Sequence, residues 1–321
     1  MVASCGLLAL TCRSLQEARP LLEARAMLRS VAHLTRSQCR QLAAPRRAAP
    51  RPRAVLCAAS SVAVDDPHAE LMADMTEFLK QDLEHLFDDT GIDSSRYESR
   101  MEFGDPLTRH TTLQGYLLNI QFLRRVFSPV FRLHDIKRTG PLQLTTRWTM
   151  DMKLSLVPPL VPWDPSLTFT GVSILDVDPV SRKLCRHVDL WDSCSDNSFL
   201  SREAISDLVG QLVDGVGRTR RDNTSASEFV TLVRRKEYSI QRCASGDVAV
   251  AWLSGAATTE ATEQSAAQLA TVLRRDSIRY ATSAGDRPAF SVRQEEGSAS
   301  WAQKHEIRIT LIDQFQLPWT I

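Results

Sequence analysis

The chain lacks any apolar run near the ~18 residues that a membrane-spanning helix needs, so we expect no integral membrane segment. It also lacks the glycine-rich nucleotide loops G-x-G-x-x-G and G-x-x-x-x-G-K-[ST], an H-E-x-x-H zinc motif, a G-x-S-x-G nucleophile elbow and an EF-hand loop. None of the seven cysteines forms a C-x-x-C pair, and only Cys185, Cys194 and Cys243 lie beyond residue 57. We therefore expect neither a disulfide framework nor a metal site.

Negative charge is missing from the N-terminal region. Residues 24–64 contain no Asp or Glu but eight Arg, and the first Lys of the chain is Lys80. Residues 1–58 carry a net charge of +8, whereas the remaining 263 residues carry −7. Because general nucleic-acid binding depends on an excess of Lys and Arg, we expect no nucleic-acid partner for the acidic body.

The basic N-terminal region has the composition of an address signal. Arg-rich, acid-poor segments with Ser and Ala are typical of organellar transit peptides, so we interpret residues 1–58 as a disordered transit peptide. Val55-Leu56-Cys57-Ala58 resembles a chloroplast processing site, which favours the chloroplast. Two alternatives stay open. Residues 15–29 can form an amphipathic helix that would suit a mitochondrial address, and the segment can also be a basic tail that is never removed.

The first block of the body, residues 66–192, begins with helical patterns. Apolar residues recur at helical spacing over residues 68–88 and again over residues 112–127, where Pro129 is expected to end the helix. Strands are predicted at residues 97–103, 131–138, 142–156, 167–177 and 183–191. This order predicts an α+β cone, in which a curved antiparallel sheet wraps over helices and leaves a pocket at its open end.

Six dispersed fragments give the first block a family resemblance. They are Phe103-Gly104-Asp105-Pro106-Leu107, Gly115-Tyr116, Arg147-Trp148-Thr149, Leu160-Val161-Pro162-Trp163, Thr170-Gly171 and Arg186-His187-Val188-Asp189-Leu190-Trp191-Asp192. Together they resemble an uncharacterised plant and algal family with the nuclear-transport-factor-2-like (NTF2-like) fold. The resemblance implies that fold and a chloroplast setting, and no settled activity.

A second block, residues 228–321, has a ββαβββ pattern. Strands are predicted at residues 228–242, 247–255, 278–282, 289–293 and 306–313, with a helix at 260–275. Residues 248–255, 269–276 and 304–309 resemble segments of the SOUL haem-binding family, of which this block would be a partial, about half-length domain. The resemblance implies haem or another tetrapyrrole as ligand. Residues 193–227 are predicted to hold a helix and a flexible linker.

The strand around His187 carries the candidate catalytic residues. Alternation along a strand places His187, Asp189 and Trp191 on one face. If that face lines the cone, His187 is a candidate general base that Asp189 orients, with Arg147 on another strand as a counter-ion. The alternative is structural, with His187 and Asp189 bonded to neighbouring elements and Arg147 paired with Asp189 or another carboxylate. Asp105 is expected to form a turn, with an acid/base role as its alternative.

Four aromatic residues are predicted to line a ligand pocket, and core packing is the alternative for them. They are Tyr116, Trp148, Trp163 and Trp191. In the second block, His305 is the only His and Cys243 the only Cys, and we assign a haem-ligand role to neither.

Two functions follow from these patterns. The first is a non-catalytic plastid protein that binds haem, another tetrapyrrole or an apolar molecule. The alternative is a lyase or isomerase whose active site lies in the cone and uses His187, Asp189 and Arg147. A cavity lined by His187, Asp189 and Trp163 would favour the enzyme, whereas a His187 buried in hydrogen bonds between sheet and helix would favour the binding protein. No oligomeric state is predicted.

Overall fold

The computed structural model describes residues 66–155, 163–215, 229–283, 285–294 and 304–319. The chain divides into two units, Met1–Asp66 and Pro67–Ile321, and every described helix and strand belongs to the second. The predicted transit peptide, residues 1–58, and most of the predicted linker therefore lie outside the described residues. Among the described helices, none combines the length and the apolar character needed to cross a membrane.

Two helices form one layer of the first block. Helix α1 spans Ala69–Asp82 and continues as a 3-10 turn over Leu83–His85, and helix α2 spans Leu113–Val126. Thr112 caps α2, because its side-chain oxygen accepts a hydrogen bond from the Gly115 backbone amide. Both helices lie where the apolar spacing predicted them.

The end of α2 differs from the prediction. Phe127 already begins strand β3, Phe127–Gly140, so Pro129 lies inside a strand and does not terminate the helix. Strand β3 is an edge strand of its sheet, where a residue without a backbone N–H is tolerated because one side of the strand needs no partner. The predicted strand, residues 131–138, was therefore too short.

A six-stranded sheet forms the other layer of the first block, in the order β2-β1-β6-β5-β4-β3. Its other strands are β1 (Tyr97–Gly104), β2 (Arg109–His110), β4 (Gln143–Leu154), β5 (Ser166–Asp178) and β6 (Lys183–Trp191). Strand β1 runs parallel to β6, and all other neighbours are antiparallel. Buried apolar side chains of α1, α2 and the sheet form one core between the layers. The predicted α+β class is confirmed.

Helix α3, Arg202–Asp214, follows the sheet in sequence and packs against it near Phe169 and Trp191. The helical pattern of residues 198–213 predicts an earlier start, but the helix begins after Ser201, which caps it by accepting hydrogen bonds from the backbone amides of Glu203 and Ala204. Ala204 is fully buried in a cluster with Phe169 and Trp191.

A second sheet has five antiparallel strands in the order β12-β13-β9-β8-β7. These are β7 (Phe229–Arg234), β8 (Ser239–Cys243), β9 (Gly246–Ser254), β12 (Phe290–Gln294) and β13 (Lys304–Thr310). Helix α4, Thr259–Arg275, packs Leu269 and Leu273 against one face, and β10 (Thr282–Ser283) pairs with β11 (Arg287–Pro288) beside it.

The single strand predicted over residues 228–242 is a hairpin. Strands β7 and β8 are joined by a turn in which the Arg235 backbone amide donates to the Tyr238 carbonyl, 2.8 Å apart. The charged pair Lys236-Glu237 is exposed at this turn, and without Gly, Pro or Asn it gave no turn signal in the sequence.

The second sheet contacts the first through β7. The Thr149 hydroxyl on β4 donates to the Thr231 carbonyl over 2.5 Å, and the Arg234 backbone amide donates to the Thr170 hydroxyl over 2.8 Å. Arg234 also pairs with Asp207 of α3, 2.7 Å away. Residues 67–321 accordingly form one compact unit, and the boundaries 66–192 and 228–321 stay predictions.

Candidate active site in the cone

A cavity of about 60 Å³ lies between the helices and the inner face of the first sheet, and we call it the cone cavity. Most of its lining is apolar, but one side is polar. The polar side consists chiefly of Asp105, Tyr116, Thr146, Ser173, His187 and Asp189. Turn, helix and strand residues far apart in sequence therefore meet around one small space.

Three of these polar residues form a row across the sheet. Thr146 on β4 is the register partner of Ser173 on β5, and Ser173 is the register partner of Asp189 on β6. Direct partners on adjacent strands place their side chains on the same face of a sheet. We call Thr146, Ser173 and Asp189 the polar row.

Asp189 is held through one of its carboxylate oxygens. Its Oδ1 accepts the Ser173 hydroxyl at 2.6 Å and lies 2.8 Å from His187 Nε2, while the Trp148 indole N–H donates to the Ser173 oxygen at 2.8 Å. Among the described residues, nothing hydrogen-bonds the second oxygen, Oδ2. An ionised Asp189 thus keeps one oxygen fixed and the other uncommitted.

His187 is buried and packed by aromatic rings. Its ring meets Phe103 edge-on at 5.2 Å and Tyr116 at 5.6 Å, and the residue is 6% exposed. A carboxylate only accepts, so His187 Nε2 donates to an ionised Asp189 and a neutral ring then has its lone pair on Nδ1. His187 Nδ1 has no hydrogen-bond partner among the described residues.

Asp105 is an acid with a displaced pKa. In the turn after β1 it accepts hydrogen bonds from the Leu107 amide at 2.7 Å, the Thr108 amide at 2.6 Å and the Thr108 hydroxyl at 2.8 Å. Burial, and next the negative charge of Asp189, nevertheless raises the pKa of Asp105 to about 6. Burial, with a further contribution from Asp189, also raises the pKa of Tyr116 well above its usual 10, so the Tyr116 hydroxyl stays neutral.

The raised pKa of Asp105 predicts a pH-dependent stability. Because folding raises this pKa from 3.8 to about 6, the folded protein holds the proton more tightly than the unfolded chain. The resulting stabilisation is complete below pH 3.8 and is lost as the pH rises through about 6; it amounts to at most about 3 kcal/mol. Urea unfolding across this pH range should show the decline in the wild type and a smaller one in Asp105→Asn. An equal decline in both proteins would contradict the assignment.

The structure brings some predicted site residues together and separates others. Trp148, Trp191 and Tyr116 line the cone cavity with His187 and Asp189. Trp163 does not belong to the lining; its indole N–H donates to the Leu212 carbonyl of α3 at 2.9 Å.

Arg147 lies on the opposite face of β4 from Trp148 and is fully buried there. Its guanidinium forms two hydrogen bonds to Asp192, one of 2.9 Å to Oδ1 and a shorter one to Oδ2. It therefore pairs with a carboxylate, as the structural alternative predicted, but the partner is Asp192 rather than Asp189. It is not part of the cone cavity lining.

Sequence reasoning missed Thr146 and Ser173. Both are small polar residues on long, largely buried strands, at positions where alternation directs them to the inner face. Only the register between β4, β5 and β6 shows that they lie on the same face of the sheet as Asp189, and the sequence did not predict that register.

The pocket described in the second block has no candidate axial ligand for haem in its lining. This pocket of about 330 Å³ lies between the end of α4 and residues 311–318, and its lining has no His, Cys, Met or Tyr. His305 is 8% exposed on β13, between β9 and β12, and Cys243 Sγ lies 3.1 Å from Arg308 Nη2. No three metal-binding side chains cluster anywhere in the described ranges. These residues do not fit axial coordination of a haem iron.

One comparison with known proteins matches part of the first block. A family described as an uncharacterized conserved protein, DUF2358, matches residues 73–187. No curated protein matches the chain.

Solved structures that resemble the chain include several of NTF2-like type. A SnoaL-like protein from Shewanella denitrificans is 17% identical over 45% of this chain and 98% of its own, with a TM-score of 0.32. An NTF2-like protein of unknown function from Exiguobacterium is 13% identical over 39% and 99%, with a TM-score of 0.29. An LEH-like epoxide hydrolase from M. tuberculosis is 13% identical over 44% and 93%, with a TM-score of 0.30. We draw no functional conclusion from these likenesses.

Proposed function

We propose that the cone cavity binds a small, largely apolar carbonyl compound and catalyses proton transfer on it, as an isomerase or lyase. The observation that carries the proposal is the pair of carboxyl groups, Asp189 and Asp105, which line one largely apolar cavity. Asp105 is buried with its pKa raised to about 6, and Asp189 has one oxygen that no described residue hydrogen-bonds. A carboxyl group whose pKa is raised toward neutrality is suited to general acid or base catalysis.

The contacts suggest a role for each group. Asp189 Oδ2 takes a proton from the carbon beside the carbonyl, and the C–H electron pair forms a carbon–carbon double bond. The carbonyl oxygen gains the displaced electron pair, and Asp105 in its protonated form, which its raised pKa of about 6 favours at mildly acidic pH, supplies a proton to it. The Tyr116 hydroxyl lines the same cavity and offers that oxygen a hydrogen bond. In both outcomes Asp105 recovers its proton as the carbonyl re-forms. If the substrate has a double bond next to the carbon that lost its proton, Asp189 returns the proton to the far carbon of that double bond, which completes an isomerisation. If it has a hydroxyl there instead, Asp189 protonates the departing hydroxyl, which leaves as water and completes an elimination.

Proton abstraction can be tested before the natural substrate is known. 2-Butanone in deuterated water exchanges the protons beside its carbonyl, which proton NMR follows directly. The wild-type protein should accelerate this exchange, and Asp189→Asn should reduce the acceleration by about 100-fold or more, because a positioned base contributes about that much. Asn retains an oxygen that can accept the Ser173 hydrogen bond, so the fold should persist.

The matched control is Asp176→Asn. Asp176 lies on β5 outside the cavity lining, where it pairs with Arg186 at 3.1 Å, so exchange should remain at the wild-type rate. Binding of 2-butanone without any acceleration by the wild type would reject catalysis and support the carrier function described next.

A non-catalytic carrier is the second candidate, and the packing of His187 favours it. The aromatic contacts of His187 and its bond to Asp189 are also what a structural polar network requires. A carrier would hold a small, largely apolar molecule, because the cone cavity has a volume of about 60 Å³ and a mostly apolar lining.

The plastid and tetrapyrrole parts of the carrier hypothesis depend on the sequence. A tetrapyrrole would have to lie outside the cone cavity and bind through its apolar faces. The lining of the pocket between α4 and residues 311–318 would give it no axial ligand. The support for haem is the partial SOUL resemblance, and the support for the chloroplast, with the mitochondrion as alternative, is the composition of residues 1–58. Both remain predictions.

A further inference from the structure

Thr146 is the residue of the polar row whose side chain forms no hydrogen bond with a described residue. It is 0% exposed and lines the cone cavity, yet its hydroxyl has no hydrogen-bond partner among the described residues. Its neighbour Ser173 is fully used, since that hydroxyl accepts from Trp148 and donates to Asp189. A buried hydroxyl without a partner destabilises a protein, so its presence beside the cavity requires an explanation.

We propose that Thr146 determines ligand specificity by hydrogen-bonding a second oxygen function of the ligand, remote from the one at Asp105. This inference rests on the proposed binding function of the cone cavity. Thr146 and Asp189 belong to strands β4 and β6, with β5 between them, so their backbones are roughly 10 Å apart. A molecule that reaches across the polar row would therefore present the carbon beside its carbonyl to Asp189 and, a short apolar chain away, a second oxygen function to Thr146.

The size of the cavity limits that chain. A space of about 60 Å³ holds roughly four to six water-sized groups. The ligand class that fits is a short-chain carbonyl compound with a hydroxyl or a second carbonyl group. Such a compound also suits proton transfer, because an elimination removes a hydroxyl from the carbon next to the one that loses its proton.

Matched probes test the role of Thr146. 4-Hydroxy-2-butanone and 2-pentanone have the same number of non-hydrogen atoms, but only the first carries two oxygen functions. Their affinities for the full chain would be measured by saturation-transfer NMR titration, for the wild type, Thr146→Val and Thr146→Ser. The wild type should prefer the hydroxyketone by about 3- to 10-fold, as expected for one added neutral hydrogen bond. Thr146→Val should lose this preference and Thr146→Ser should keep it.

A second measurement separates recognition from folding. Valine has nearly the shape of threonine without the unpartnered hydroxyl, so the melting temperature of Thr146→Val should equal or exceed that of the wild type. If both probes bind equally well, or if Thr146→Val keeps the preference, the specificity role is wrong while binding in the cone stands. If neither probe binds the wild type, both this inference and the proposed binding of small carbonyl compounds are overturned.

Discussion

Replacing Arg147 with Met is expected to lower the free energy of unfolding by about 3–5 kcal/mol, because the change leaves a buried carboxylate without its counter-charge. The Arg147 and Asp192 side chains are 0% and 2% exposed. Without Arg147, the remaining hydrogen bond to Asp192 from a described side chain is that of the Thr170 hydroxyl, at 2.5 Å. Urea unfolding at neutral pH measures the loss.

The matched control is Arg186→Met, which breaks the exposed pair of Arg186 with Asp176. Solvent screens that pair, so its loss should cost no more than about 1 kcal/mol. The double variant Arg147→Met/Asp192→Leu should regain much of the stability, because it removes the orphaned charge as well. If Arg147→Met were no more destabilising than Arg186→Met, the buried pair of Arg147 and Asp192 would not be a major contributor to stability.

The buried pair belongs to a polar layer between the two sheets. Asp192 also accepts the Thr170 hydroxyl, which in turn accepts the Arg234 backbone amide of β7. Burial, and next the positive charge of Arg147, lowers the pKa of His134 to about 4, so this histidine is neutral near neutral pH. The strands that carry the cone cavity on one face are thus tied to the second sheet on the other.

The sequence predicts the helices of this molecule more completely than its strands. Helical spacing located α1, α2 and α4, because apolar positions three and four residues apart report one buried stripe. The sequence-based predictions placed both Arg147 and Trp148 at the pocket, but neighbouring residues on a strand face opposite ways, and only Trp148 lines the cavity. Both faces of this sheet are covered, and Arg147 is buried on the face toward the second sheet.

The sequence predicted only the part of the candidate site that lies on a single strand. His187, Asp189 and Trp191 share a face because they alternate on β6, and that needed no knowledge of the fold. Thr146 and Ser173 join them through strand register, and Asp105 joins through a turn after β1. Such contacts depend on long-range pairing, which local periodicity does not encode. The raised pKa of Asp105 follows from the same assembly, since burial and Asp189 cause it.

Three of the six sequence fragments that carry the family resemblance meet across neighbouring strands. Trp148, Gly171 and Trp191 are successive register partners across β4, β5 and β6, at the edge of the polar row. A Cβ atom on Gly171 would lie 2.1 Å from the Leu190 carbonyl oxygen and 3.1 Å from Trp148 Cζ2. Glycine is therefore required there, because the nearest obstacle is backbone and cannot rotate away.

Gly171→Ala is accordingly expected to destabilise the protein by about 3 kcal/mol or more, since an added methyl group forces strands apart in a packed sheet. Separation of β5 from β6 would also disturb the hydrogen bond between Ser173 and Asp189, so ligand binding in the cone should weaken together with stability. Thermal unfolding monitored by tryptophan fluorescence measures the first effect. The matched control is Gly210→Ala in α3, where no atom lies within 4 Å of the added Cβ and alanine improves helix propensity by about 1 kcal/mol. If Gly171→Ala were as stable as Gly210→Ala, the close approach of β5 to Leu190 would not exist in solution.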